Sequence, residues 1–211
     1  MTRTRRATVA MLLVGLAIFS SLYSTQAILP TLVRNMGLSS TEAAMTVSAA
    51  TGALALCVVP ASILSERFGR GRILLISAVA ATGVGLIVPL TQQGWQLIVV
   101  RGLQGALLSG APATAMAWLS EELDDKALPR AMGLYIAGTS VGGLTGRLIP
   151  TGLVEISTWR WALFGSALVS LAFAITSWLL LPAQRNFRPK SIHLKTESRA
   201  LLGHWANRDL A

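Results

Sequence analysis

Six apolar stretches separated by short polar breaks constrain this chain more than any other feature. They run over about 7–30, 43–64, 73–91, 95–119, 132–154 and 161–181. Each is close to the roughly 20 residues that a helix needs to cross the bilayer hydrocarbon. A soluble domain carries about 25% charged residues, whereas this chain carries 13% and is 53% hydrophobic. Too little charge remains to cover a soluble surface of 211 residues. An all-α membrane protein with six transmembrane helices is therefore predicted. The first stretch follows MTRTRR and so resembles a secretory signal, but it is long for one and five more spans follow. It reads as a first span that stays in place.

The net charge of +9 does not mark a nucleic-acid binder, because the basic residues fall in particular loops rather than on one face. On one side of the six spans lie Arg3, Arg5, Arg6, Arg67, Arg70, Arg72, Lys126, Arg130 and the six cations of the tail, 14 in all. Only Arg34 and Arg160 lie on the other side, and Arg101 and Arg147 fall inside spans. The excess of Lys and Arg on the cytoplasmic side of membrane proteins then predicts that both termini are cytoplasmic. Trp95, Trp159, Trp161 and Trp178 fall near span ends, where interfacial anchors belong. Residues 183–211 form a basic cytoplasmic tail, read either as a solvated linker or as a segment drawn to anionic lipid.

Charge inside a span is costly and normally faces a cavity or a partner. Arg101 in the fourth span and Arg147 in the fifth therefore point to a polar cavity, although Arg147 near its span end has the alternative of snorkelling outward. No carboxylate lies within any span; Glu42, Glu66 and Glu155 are at span ends. A proton carrier must accordingly be a residue at the mouth or lie outside this chain. The first span holds Ser20, Tyr23, Ser24 and Gln26, with Ser20, Tyr23 and Ser24 on one helix face. These groups suit either a polar substrate or interhelical hydrogen bonds. Small residues recur every four positions at Gly138, Gly142 and Gly146, and at Gly102, Ala106 and Gly110, a spacing that lets two helix backbones approach.

Chemistry of other kinds finds no support. No Walker-type phosphate loop is present. His193 and His204 are too far apart for a helical metal pair, and Cys57 is alone and reads as a packing thiol. Neither catalytic residues, nor a metal, nor a cofactor is expected.

The loop SERFGRGR at 65–72 resembles the signature after the second span of the major facilitator superfamily, G-x-L-a-D-r-x-G-r-r. Leu64, Arg67, Gly69 and Arg70 match it, with Ser62 for the first glycine and Glu66 for the aspartate. LIVVRGLQGA is similar to the family's R-x-x-Q-G through Arg101, Gln104 and Gly105, and GTSVGG to G-P-x-x-G-G with Thr139 for proline. The resemblance implies two six-span halves, each of two three-helix repeats, with substrate bound between halves that rock to alternate access. It implies that this chain is the N-terminal half, that its tail resembles the central linker, and that a C-terminal half is its missing partner. By the motifs, Arg101 lines the cavity and couples to proton or substrate, supported by Gln104. Glu66, Arg67, Gly69 and Arg70 form a cytoplasmic gate, and Gly138, Gly142, Gly143 and Gly146 a pliable seam between halves. Tyr23, Gln26 and Arg147 are the remaining substrate candidates. The implied activity is proton-linked efflux of a small polar solute, a sugar or a drug-like molecule, across the bacterial inner membrane. Two readings compete with it: a truncated product that inserts but transports nothing, and a six-span scaffold.

Overall fold

The computed structural model describes residues 2–187. The basic tail from residue 188 onward, with His193 and His204, lies outside them. Among the described residues the secondary structure is helical, and eight α-helices make six rods. The first rod comprises α1 (Arg3–Tyr23), a 3-10 turn and α2 (Leu29–Met36). The second is α3 (Ser40–Phe68), and the third is α4 (Arg70–Gly85) with a 3-10 extension to Leu90. The fourth comprises α5 (Gly94–Leu108) and α6 (Gly110–Glu122); α7 (Leu128–Ile156) and α8 (Trp159–Leu180) complete the set.

Four rods are long and apolar enough by themselves to cross a membrane: Arg3–Met36, Ser40–Phe68, Arg70–Leu90 and Trp159–Leu180. The 29 residues of α7 exceed the needed length, but its six glycines and Arg147 dilute its apolar character. The fourth rod is split at Ser109.

Prolines explain three of the discontinuities. A proline has no N–H for the carbonyl four residues earlier, and its ring crowds that carbonyl. Accordingly α4 ends at Gly85, four residues before Pro89, and α5 ends at Leu108, four before Pro112. In the first rod, Pro30 follows the turn that begins at Gln26. Pro60 and Pro150 stay inside unbroken helices.

The expected loops are shorter than the polar breaks. In SERFGRGR, α3 continues to Phe68 and α4 starts at Arg70, so the turn is Gly69 alone, at φ 101°. Only glycine adopts that conformation without a Cβ penalty, which lets two long helices reverse on one residue. At the opposite end a capping box starts α3: Ser39 Oγ accepts from the Glu42 N–H, while the Glu42 carboxylate accepts from the Ser39 N–H at 2.8 Å.

Helix pairing is that of an inverted repeat. The first rod packs most extensively on the fifth (α1 on α7), and the second on the fourth (α3 on α5). Exchanging rods one to three with rods four to six interconverts these two pairs, which is the internal symmetry found in such folds. The apolar core lies chiefly along α1, with Met11, Val14 and Ile18 fully buried together with Leu74, Leu108 and Trp118. A smaller cluster at the other end joins Leu32, Leu97 and Trp159. Trp95 and Trp161 are exposed as interfacial anchors would be, but Trp159 is only 6% exposed. It packs inside, with the Arg160 guanidinium 4.2 Å above its ring.

Candidate functional site

The break in the first rod, residues 21–28, organises the polar interior. Its two flanks meet two arginines from different helices, in different ways.

On one flank stands Arg101 of α5, fully buried. Its Nη1 donates to the Ser21 carbonyl at 3.1 Å and to Gln104 Oε1 at 2.6 Å. Nη2 donates to the Leu22 carbonyl, and Nε to that of Thr46 on α3 at 3.4 Å. The last carbonyls of a helix have no partner within it, and a cation at that end complements the helix dipole. Arg101 therefore closes the C-terminal end of α1 and ties it to α3 and α5. Gln104 extends the knot, donating to Ser21 Oγ at 2.8 Å and to the Ala81 carbonyl of α4 at 3.2 Å. The expected cavity-lining place of Arg101 is corrected on this point: its guanidinium is covered, and four hydrogen bonds to protein groups occupy it. Gln104, Ser21, Ser24 and Ser170 border a void of about 10 Å³, room for about one water.

On the other flank stands Arg147 of α7, half-buried. Its Nε donates to Gln26 Oε1 at 3.0 Å and its Nη1 to the Gly143 carbonyl at 2.8 Å. The guanidinium carbon lies 4.2 Å from the centre of the Tyr23 ring, a cation–π contact. Nη2 has no hydrogen-bond partner among the described residues. Tyr23, Gln26, Gly143 and Arg147 are thus brought together as one open polar cluster, with Gln26 exposed. By contrast, Ser20 of the same predicted face is buried and shares a 2.8 Å hydrogen bond with Ser170 of α8.

The glycines expected at an outward seam face inward instead. A Cβ on Gly138 would sit 2.4 Å from the Leu12 carbonyl oxygen, on Gly142 2.8 Å from that of Gly15, and on Gly146 2.5 Å from that of Ser20. These residues exist to let α7 lie directly on α1, backbone on backbone. Gly143 instead leaves space for Tyr23 and Arg147. The large side chains that the middle of α7 turns outward are apolar: Ile136, Val141, Leu144 and Leu148 are all exposed, with Ser140 among them. The equivalent contact between α3 and α5 uses Gly105, whose Cβ would fall 2.0 Å from the Ala50 carbonyl oxygen, whereas a Cβ on Gly102 would make ordinary contact. Gly15 and Gly105 were not singled out as contact points by the four-residue spacing; Gly105 was visible only within the R-x-x-Q-G motif.

At the arginine-rich end, Arg70 is 3.6 Å from Glu66, and its Nε donates to Glu121 of α6 at 2.6 Å. Arg67 is exposed and lies 5.3 Å above the Phe68 ring. Glu121 also accepts from Gln184 Nε2 at 3.0 Å, and Gln184 Oε1 accepts from the Gly71 N–H at 3.2 Å. The neighbouring Glu122, its side chain fully covered, takes Arg3 at 2.5 Å and the backbone N–H groups of Arg185 and Asn186 at 2.7 Å. Thus Glu121, Glu122 and Gln184, none of them assigned a role from sequence, fasten the N-terminus, the Gly69 turn and the segment after α8 into one clasp. Glu121 and Glu122 sit in the polar break after the fourth span and Gln184 in the segment after α8, with no periodicity to mark them, so only the fold reveals their partners.

Comparison with known proteins places these features in a family. The sequence profile of the Major Facilitator Superfamily matches residues 11–208. The inner membrane transport protein YnfM of Escherichia coli (strain K12) is 35% identical over 205 residues, covering 97% of this chain and 49% of that protein. The uncharacterized MFS-type transporter YybF of Bacillus subtilis (strain 168) is 33% identical, covering 98% of this chain and 51% of its own length. An uncharacterized transporter of Buchnera aphidicola subsp. Schizaphis graminum is 33% identical over 178 residues, 84% of this chain and 43% of its own. The chain spans about half the length of these curated relatives.

Proposed function

Because the chain belongs to the major facilitator superfamily, we propose that it forms the N-terminal six-span half of a secondary transporter that moves a small polar solute, a sugar or a drug-like molecule, by proton-linked efflux. The carrying observation is the open cluster of Arg147, Tyr23 and Gln26 at the break in the first rod. Broken helices near the repeat interface are where transporters of this design bind substrate. There the cluster offers a cation, a phenol ring and an amide, with Arg147 Nη2 left over for a solute's oxygen.

Arg101 and Gln104 support the site rather than touch the solute in this reading. They hold the end of α1, so that Tyr23 and Gln26 stay in register with Arg147. Glu66, Arg70 and Glu121 form a gate element at the end we assign to the cytoplasm, where the basic residues collect. The proton is carried by a residue at the mouth or by the second half, since the seven carboxylates of the described residues all stand at rod ends. A second half is also what the outward apolar side of α7 suits, and in this reading the chain alone inserts without transporting.

Proteoliposomes test the proposal. The chain is reconstituted with a matching second half, and radiolabelled sugars and organic solutes are offered with and without an imposed proton gradient. Transport of a solute that collapses with the gradient is expected. A solute moved equally well after a protonophore removes the gradient contradicts proton coupling. Transport by the chain alone at the rate of the pair contradicts the half-transporter reading.

A further inference from the structure

A cleft of about 660 Å³ opens between the start of α1 and the start of α7, away from the Arg147 cluster. Three cations line it: Arg5, Lys126 and Arg130. All three are exposed, and among the described residues no side chain pairs with any of them. Their neighbours in sequence behave differently. Arg3 is held by Glu122 of α6 and donates to the Ala183 carbonyl at 2.9 Å, and Arg6 donates to the Leu179 carbonyl at 3.2 Å, so both turn toward the ends of α6 and α8. Arg5 alone turns the other way, toward α7. The one carboxylate in the cleft, Asp124, is engaged by the Ala127 N–H at 2.8 Å, capping the turn that leads into α7. Thr2, Thr4, Thr8 and Ala127 line it as well, and Val9 and Leu134 supply its larger apolar side chains.

Even with the Asp124 carboxylate counted, three cations leave the cleft net positive, and like charges repel unless a further anion joins them. Their position narrows which anion. They lie at the ends of two membrane-spanning rods, where the headgroups of a bilayer lie, and Val9 and Leu134 continue the wall toward the apolar spans. Basic pockets between transmembrane helices on the cytoplasmic side suit anionic headgroups. We propose that this cleft binds a phosphate-bearing anion, with the phosphodiester of an anionic lipid such as phosphatidylglycerol as its source. Arg5 and Arg130 grip the phosphate from opposite walls, Lys126 adds charge from the turn, and the first acyl carbons lie along Val9 and Leu134. No transport step depends on this site, so it stands or falls apart from the function proposed above.

Native mass spectrometry of the full 211-residue chain tests it, after equilibration in neutral detergent with equal phosphatidylglycerol and phosphatidylcholine. One phosphatidylglycerol is expected to be retained at least about tenfold over phosphatidylcholine. Each surface cation contributes about fivefold to such binding. The triple variant Arg5→Gln/Lys126→Gln/Arg130→Gln should therefore lose the preference, while Arg34→Gln at the opposite end keeps it. The cations of the tail are intact in every variant, so retention that depended on the tail would persist in the triple variant and overturn the proposal. Absence of any preference in the wild type would overturn it as well. Should the triple variant fail to fold, Lys126→Gln alone should retain about fivefold less lipid, and unchanged retention contradicts the site. Inorganic phosphate added at constant ionic strength separates the sources. Displacement of the lipid by millimolar phosphate marks a site that reads the anion alone, and resistance to it marks one that needs the lipid.

Discussion

The guanidinium of Arg101 lies 3.1 Å from the carbonyl oxygen of Ser21, on the last turn of α1 before its break. That contact joins two features that look unrelated in the sequence, a buried charge in the fourth span and a proline-led discontinuity in the first. Breaks inside membrane helices are tolerated where neighbouring groups satisfy the freed backbone. Here one arginine side chain does so from 80 residues away.

Truncating that arginine should cost the fold. Arg101→Ala leaves the Leu22 carbonyl and Gln104 Oε1 buried without this donor, while the Ser21 carbonyl keeps the Ser24 hydroxyl, and each buried unsatisfied group costs about 1–3 kcal/mol. Arg101→Lys keeps the charge but lacks the planar fork that reaches several acceptors at once. Both variants should unfold at lower temperature in detergent, followed by tryptophan fluorescence, with Lys the milder. An Arg101→Lys protein as stable as the wild type would show that the fork is not needed.

Glycine substitutions along α7 should divide by face. Gly138→Ala and Gly142→Ala place a methyl within contact-forbidding range of the α1 backbone and should destabilise by about 1–3 kcal/mol, the usual cost of overpacking. Gly133→Ala and Gly152→Ala meet nothing within 4 Å and should be neutral or slightly stabilising. Thermal unfolding of the four variants checks this, and equal effects on both faces would contradict the α1–α7 contact.

The clasp at the basic end predicts a local change. The Glu122 carboxylate is fully covered and accepts from Arg3 and from two backbone amides, and hydrogen bonds to a charged group are stronger than those to a neutral one. Glu122→Gln removes the acceptor charge that holds Arg3 and the two backbone amides after α8. Hydrogen exchange at Arg185 and Asn186 should accelerate at least about fivefold, while the amides of α4 around Leu74 stay protected. Unchanged exchange at the two amides would show that Glu122 does not hold this segment.

The Tyr23–Arg147 pair should be coupled through its ring. Tyr23→Phe keeps a face for the guanidinium and should change stability little, whereas Tyr23→Ala removes it. A double-mutant cycle of Tyr23→Ala with Arg147→Ala should give a coupling of about 0.5–1 kcal/mol, as expected for a partly exposed cation–π contact. A coupling of zero would show that the stacking contributes nothing.

Much of the fold was legible in advance because the bilayer imposes one dominant signal, length of apolar run. The six rods follow from it, and the charge of the loops sorted their ends into a basic and a nearly uncharged set. Which side of a helix faces which neighbour was much less legible. Apolar residues occur all round a membrane helix, so the four-residue spacing of Gly138, Gly142 and Gly146 revealed a contact face without saying that its partner is α1. The two arginines within spans were visible as unusual residues. Their opposite fates were not, because exposure depends on the break at residues 21–28 that both of them meet. Glu121, Glu122 and Gln184 carried no pattern at all, since their partners come from three separate segments.

The central claim is a division of labour at that break, Arg101 holding the fold and Arg147 meeting the solute. Its most direct test pairs transport with stability for Arg147→Gln, in the chain reconstituted with a matching second half as proposed above. The account predicts thermal unfolding within a few degrees of the wild type and transport reduced at least about tenfold, roughly the 1.4 kcal/mol equivalent of one lost solute contact. Wild-type transport by a well-folded Arg147→Gln protein would contradict it.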